Sequence, residues 1–221
     1  ADWYADYLNT YVERDVRQLK NISNLSQFIK LLRLCAGRTG QLLNLTSLSN
    51  DCGIDQKTVA AWLSVLQSSF IIYLLKPYHN NFNKRIIKTS KLYFYDTGVA
   101  CSLLGITNAR HISTHAAKGS LFENMILSEL LKERLNAGAA DNLYYWRDKT
   151  GNEVDIISDK AGRLTAMELK AGETVSSDFF KGLEYFSSLN TKAIVKLLVY
   201  GGNQEQKRSN GIIVQPWNKL T

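Results

Sequence analysis

The stretch 153-EVDIISDKAGRLTAMELKA-171 constrains the fold more than any other part of the chain. Two runs of strand-forming residues flank the turn 159-DKAG-162, and so short a turn between such runs closes an antiparallel hairpin. A second tight turn, 149-KTGN-152, joins this hairpin to another strand-like run. The spacing therefore predicts a three-stranded meander over 142–148, 152–158 and 163–171. Apolar periodicity predicts a helix over 120–136 before it and a helix over 176–189 after it. Strands over 193–200 and 211–216 complete the pattern. The order αβββαβ, followed by the strand over 211–216, implies a mixed sheet packed against helices.

Charged residues interrupt these buried runs. Alternation along the last strand of the meander puts Leu164, Ala166, Glu168 and Lys170 on one face. Glu168 and Lys170 are then ~7 Å apart along the strand, at ~3.3 Å per residue. The same rule puts Glu153, Asp155 and Ile157 on one face of the preceding strand, opposite Val154 and Ile156. The hairpin brings Asp155 beside Ala166 or Glu168. In 120-SLFENMILSELLKERL-135, Glu123 shares a stripe with Ile126, Leu127 and Leu130, so it is expected to face the sheet rather than solvent. Carboxylates converging in a partly dry site repel one another unless a cation neutralises them, and a hard, oxygen-seeking ion such as Mg²⁺ suits them. Asp155 and Glu168 are the candidate metal ligands. Lys170 and Glu123 are the candidate catalytic groups, and Arg147 and Glu153 are candidate accessories.

The first half of the chain has a different character. Helical spacing covers 3–20 and 24–37. The segment 46-TSLSNDCGIDQKTVAAWLSVLQSSFIIYLL-75 then reads as a short helix capped by Thr46 or Ser47, a turn at Gly53, and a longer helix capped by Asp55. Phe70–Leu75 and 91-KLYFYD-96 have strand composition, so a two-stranded wing is expected to follow the helix-turn-helix. Lys84, Arg85, Lys88 and Lys91 cluster as phosphate contacts would, and Lys57 is the cation of the second helix. DNA is the partner this pattern predicts. Residues 97–118, with their glycines and histidines, are read as a bridge, giving a winged-helix domain over 1–118 and an α/β domain over 119–221. Charge follows the same division. Residues 1–118 hold 14 Lys and Arg against 7 Asp and Glu, whereas 119–221 hold 13 of each. The fold class expected is α+β in two modules.

Several classes are excluded. No apolar run approaches the ~18 residues of a membrane span, and the start does not read as a signal peptide. Cys35, Cys52 and Cys101 form no C-x-x-C pair, which disfavours a disulfide framework or zinc ribbon and suits the cytoplasm. His111 and His115 lack the glutamate of a zinc motif.

Glu123 on a helix, Asp155 in 153-EVDII-157 and 168-ELK-170 on successive strands resemble the PD-(D/E)XK nuclease superfamily. Val154 stands where the superfamily's name has proline. The resemblance implies a restriction-endonuclease-like domain and Mg²⁺-dependent phosphodiester hydrolysis. The blocks 7-YLNTYVERDVRQL-19, 88-KTSKLYFYDTGVA-100, 119-GSLFENMILSEL-130, 145-YWRDKTGNEVDII-157 and 167-MELKAG-172 together resemble a prokaryotic AAA+ ATPase family. Its members join an N-terminal P-loop domain to a C-terminal domain of unknown function. By that resemblance, ATP binds only in the N-terminal domain of the parent protein, whose AAA+ domain is a further partner. The chain itself has no G-x-x-x-x-G-K-[ST] motif. Two other readings are consistent with the residues: a non-catalytic nuclease-fold scaffold that binds DNA or protein or regulates the ATPase, and a transcriptional regulator. Oligomeric state is not legible.

Overall fold

The computed structural model describes residues 2–16, 22, 24–79, 88–190 and 193–220. The chain is a mixed α+β protein in two compact units, Ala1–Leu74 with Lys91–Asn124, and Leu75–Ser90 with Met125–Thr221.

The first unit is built on capped helices. Helix α1 (Asp2–Thr10) continues into a wider π-type turn at Tyr11–Val16 instead of running regularly through the expected helix. Helix α2 (Leu25–Ala36) is capped by Asn24, and α3 (Leu45–Cys52) by Asn44, whose side chain accepts from the Ser47 N–H at 2.9 Å. Thr46 and Ser47, expected as caps, therefore lie inside the first turn of α3. Gly53 ends α3 with φ of 78°, a conformation that favours glycine. Asp55 caps α4 (Gln56–Ser68) by accepting from the N–H groups of Lys57 and Thr58. Strands β1 (Ile72–Leu75) and β2 (Lys91–Phe94) pair as a two-stranded sheet.

Residues 97–118 are not the bridge expected from their glycines. They contain α5 (Thr97–Leu103), capped by Asp96, and α6 (Ala109–Thr114), capped by Asn108. Val99, Ala100 and Ile106 are buried with Phe28, Leu32, Trp62 and Leu66 in one core. Two strong N-caps start helices where composition suggests a linker.

Helix α7 (Lys118–Asn136) contributes residues through Asn124 to the first unit and the rest to the second. The six-stranded sheet of the second unit runs β3 (Leu143–Arg147), β4 (Glu153–Lys160), β5 (Arg163–Lys170), β6 (Ile194–Tyr200), β8 (Ile212–Pro216) and β7 (Gln206–Lys207) in that spatial order. The expected antiparallel meander β3–β4–β5 is present, and β6 and β8 add parallel to β5. The two-residue edge strand β7 had no distinct sequence pattern. Within the expected helix over 176–189, Ser177–Phe180 form a tight 3-10 turn and α8 (Lys181–Ser188) follows. Leu183 and Phe186 of α8 pack with Trp146, Val154, Ile157, Leu164 and Ala166 on one face of the sheet. Arg134 of α7 binds the Ser158 hydroxyl at 2.8 Å, and Ser158 alternates with Ile157 to the other face.

Lys76–Tyr78 also belongs to the second unit because it pairs with β3. The Tyr145 N–H donates to the Lys76 carbonyl at 3.0 Å, and the Tyr145 carbonyl accepts from the Tyr78 N–H at 2.7 Å.

Candidate functional site

The β4–β5 register runs from Lys160↔Arg163 to Ile156↔Met167, and one further step sets Asp155 against Glu168. Regular alternation on β5 holds: Leu164 and Ala166 enter the core beneath α8. Glu168 continues that face, and a Cβ at Gly182 of α8 would lie 3.8 Å from Glu168 Oε2. Lys170 Nζ donates to Glu168 Oε1 at 2.6 Å and lies 5.5 Å from the centre of the Phe179 ring.

Alternation on β4 does not hold through Asp155. Pairing with β3 passes from Tyr144↔Ile157 to Trp146↔Val154, so between these pairs one residue of β3 is matched by two of β4. The extra residue is a β-bulge at Asp155–Ile156, opposite Tyr145. As a result Val154 and Ile157 share one buried cluster, and the expected grouping of Asp155 with Ile157 against Val154 is broken. The bulge also changes what Asp155 does. Its Oδ2 accepts from the Leu169 N–H at 2.8 Å, so the carboxylate satisfies a backbone donor of the neighbouring strand. Asp155 is 9% exposed, yet it is anchored in this way.

Arg147 and Glu153 face each other across β3 and β4 and form an ion pair at 3.0 Å. Just beyond them, Asp148 accepts from the N–H groups of Thr150 and Asn152 at 2.9 and 3.0 Å. Burial pushes the Asp148 carboxyl up, but hydrogen bonds from Asn152 and Thr150 outweigh it and leave the group below its ordinary range. A depressed folded-state value stabilises the turn above the ordinary carboxyl range near ~4, and this contribution is lost as pH falls through the folded value. Asp148→Ala is therefore expected to lower the melting temperature near neutral pH, with wild type and variant converging as pH falls through the folded-state value. A pH-independent gap would show that packing, not the carboxylate, holds the turn.

Glu123 has its own partners in the first unit. Its Oε1 accepts from Lys91 Nζ at 3.1 Å and from the Tyr93 hydroxyl. Lys91 is consequently not one of the surface cations expected to touch phosphate: it is 3% exposed and ion-paired with Glu123. Lys57 and Lys88 are exposed, whereas Lys84 and Arg85 lie outside the described residues. The neighbouring Asn124 was not singled out by its sequence. Its amide accepts from the Phe94 N–H at 2.7 Å and donates to the Phe94 carbonyl at 3.1 Å, standing in for a β-strand partner.

Among the described residues, no group of three or more His, Cys, Asp or Glu side chains is gathered for a metal ion. Asp155 Oδ2 and Glu168 Oε1 are engaged by the Leu169 N–H and by Lys170 Nζ, and two carboxylates are too few for an all-protein cage. Gly182 lies inside α8, and a glycine inside a helix is itself a signal of close approach. A side chain there would overlap the Glu153 carbonyl oxygen.

Residues 1–110 match a family model described as Domain of unknown function (DUF8612), and residues 118–220 match one described as Domain of unknown function (DUF4143). The chain is similar to Uncharacterized protein Rv2008c of Mycobacterium tuberculosis, with 28% identity over 222 residues, covering 100% of this chain and 48% of that protein. Uncharacterized protein MJ1637 of Methanocaldococcus jannaschii is 24% identical over 215 residues, covering 95% of this chain and 42% of that protein. The chain thus spans about half the length of the curated relatives it matches. The crystal structure of protein VC1899 from Vibrio cholerae matches at 16% identity with a TM-score of 0.34, covering 89% of this chain and 54% of that one. No helix among the described residues is long and apolar enough to cross a membrane.

Proposed function

We propose that the second unit is a restriction-endonuclease-like module that hydrolyses nucleic-acid phosphodiesters through Asp155, Glu168 and Lys170. The observation that carries this reading is the bulge at Asp155. A strand residue whose carboxylate is re-aimed onto the neighbouring strand, beside an E-x-K pair, departs from regular pairing at the position where chemistry would need it. Asp155 and Glu168 would hold Mg²⁺, which when bound supplies an activated water and offsets charge on the phosphate. The Leu169 N–H orients Asp155. The Lys170 ammonium, held at the cluster by Glu168, can donate to a phosphate oxygen or position the attacking water. Arg147 and Glu153 support the strand ends as a pair.

The first unit is read as a DNA-binding winged helix. The α3–Gly53–α4 arrangement followed by the β1–β2 sheet supports this, with Lys57 exposed at the start of α4. The resemblance of the sequence blocks to an AAA+ ATPase family carries a further proposal, that these units work beside an AAA+ ATPase domain in a parent protein, and the 48% coverage of a longer relative is consistent with additional chain. A second reading has its own observation. Asp155 and Glu168 already have partners within the fold, as a non-catalytic scaffold would require.

The deciding experiment is cleavage of plasmid, linear and single-stranded DNA with Mg²⁺ or Mn²⁺. Asp155→Asn and Lys170→Met are each expected to reduce cleavage by about 100-fold or more. Undiminished cleavage by both variants rejects the assigned site. Failure of the wild-type chain to cut any of the three substrates favours the scaffold.

A further inference from the structure

A cleft of about 530 Å³ lies within the second unit, and Asp155, Glu168 and Lys170 are not among the residues that line it. Lys76, Tyr78 and His79 line one part of it and Lys88 another, with Tyr144 of β3 and Asp159 of β4 also in the lining. Tyr145 organises these stretches. Its backbone pairs with Lys76 and Tyr78, and its hydroxyl donates to the Thr89 carbonyl. Tyr145 is fully buried, so the chain carrying Lys76 and the chain carrying Lys88 are both attached to one fixed residue.

The lining is cationic and aromatic. Lys76, His79 and Lys88 are exposed. Asp159 is the acidic member of the lining, and its Oδ1 accepts from the Gly162 N–H in the following turn at 2.7 Å. Tyr144 is half-buried and packs edge-on against Tyr78 at 5.7 Å, while Phe186 braces Tyr78 from 6.1 Å. Clustered cations in a concave site attract phosphate, and an aromatic ring beside them can stack a base of any identity. The volume suits a nucleotide-sized group, within the range of about 300–1,000 Å³ typical of small-ligand sites.

We propose that this cleft binds a single-stranded nucleic-acid segment, with Lys76, His79 and Lys88 around a phosphate and Tyr144 beside a base. The choice of ligand rests on the proposed nucleic-acid function, but the residues are separate from Asp155, Glu168 and Lys170.

The test is fluorescence anisotropy of a labelled oligothymidylate of about ten nucleotides, within the usual site size, titrated in EDTA at several salt concentrations. Lys76→Gln/Lys88→Gln is expected to weaken binding by about 10-fold or more at low salt and to reduce the slope of log K against log salt by about 1.4, or about 0.7 per lost contact. Tyr144→Leu is expected to weaken binding at least about five-fold with little change in slope. Lys160→Gln, at an exposed lysine outside the cleft, should bind as wild type does. The proposal is overturned by absence of wild-type binding at low salt, by an unchanged slope in the double variant, or by an equal loss in Lys160→Gln. Equivalent competition by thymidine monophosphate would overturn the strand assignment and leave a free-nucleotide site. Binding retained by an Asp155→Asn chain that no longer cuts would support the cleft. Cleavage without cleft binding would reject the cleft alone.

Discussion

Replacing Lys91 with methionine is expected to destabilise the first unit by about 3 kcal/mol, the lower end of the range for breaking a buried ion pair. Lys91 is 3% exposed, and the Glu123 side chain is 16% exposed. Removing the ammonium leaves the Tyr93 hydroxyl as a donor to Glu123 Oε1 but takes away the neutralising charge. The surroundings offer little room to adapt. Gly40 has φ of 77°, and a Cβ there would lie 3.5 Å from Glu123 Oε2. Gly40 and Gln41 pair through their backbones with Leu92, and Asn124 continues the pairing at Phe94. Lys91→Met combined with Glu123→Leu should recover much of the loss, because replacing both charges with apolar groups removes the uncompensated carboxylate. Urea unfolding followed by circular dichroism measures all three proteins. A single-variant cost below about 1 kcal/mol would mean that the pair contributes no more than a surface one.

Lys91 also shows where sequence reading stops. In 88-KTSKLYFYD-96, a lysine next to Lys88 looks like part of a basic surface. Its ion-pair partner, Glu123, is 32 residues away, and no local periodicity signals that pairing. Glu123 was legible as an inward-facing residue because Ile126, Leu127 and Leu130 mark its stripe, but the stripe does not say which neighbour receives it. The β5 strand was legible residue by residue, since its alternation from Leu164 to Lys170 is uninterrupted. Its neighbour β4 was legible as a strand and as a hairpin partner, but not in its facing. A bulge depends on how two residues of β4 meet one of β3, a property of the pairing rather than of either strand. The cleft around Lys76 and Lys88 was hidden for a related reason: Tyr145 brings its parts together through contacts distant in sequence. Helices α5 and α6 were missed differently. Their caps, Asp96 and Asn108, are helix-start residues, but Gly98 and Gly105 nearby are equally the mark of a linker.

Gly182→Ala is expected to affect both stability and the proposed chemistry. The new methyl would overlap the Glu153 carbonyl oxygen, and it would also lie 3.3 Å from the Glu153 carbonyl carbon. Backbone atoms cannot rotate aside as a side chain can, so either α8 or the start of β4 must move. Such overpacking costs about 1–3 kcal/mol. Moving α8 away loosens Leu183 and Phe186 from the core, whereas moving β4 shifts the strand end next to Asp155 and the Arg147–Glu153 pair. The second response matters for function, because a shift of about 1 Å can cost about 100-fold in rate when reacting groups must stay aligned. Thermal unfolding and DNA cleavage by the same variant separate these responses. A lower melting temperature with unchanged cleavage at a temperature where the chain stays folded would mean that α8 gives way and Asp155 keeps its alignment with Leu169. Loss of both would mean that β4 moves, making Gly182 a positioning residue for Asp155. An unchanged melting temperature would contradict the close helix-to-strand approach on which both outcomes depend.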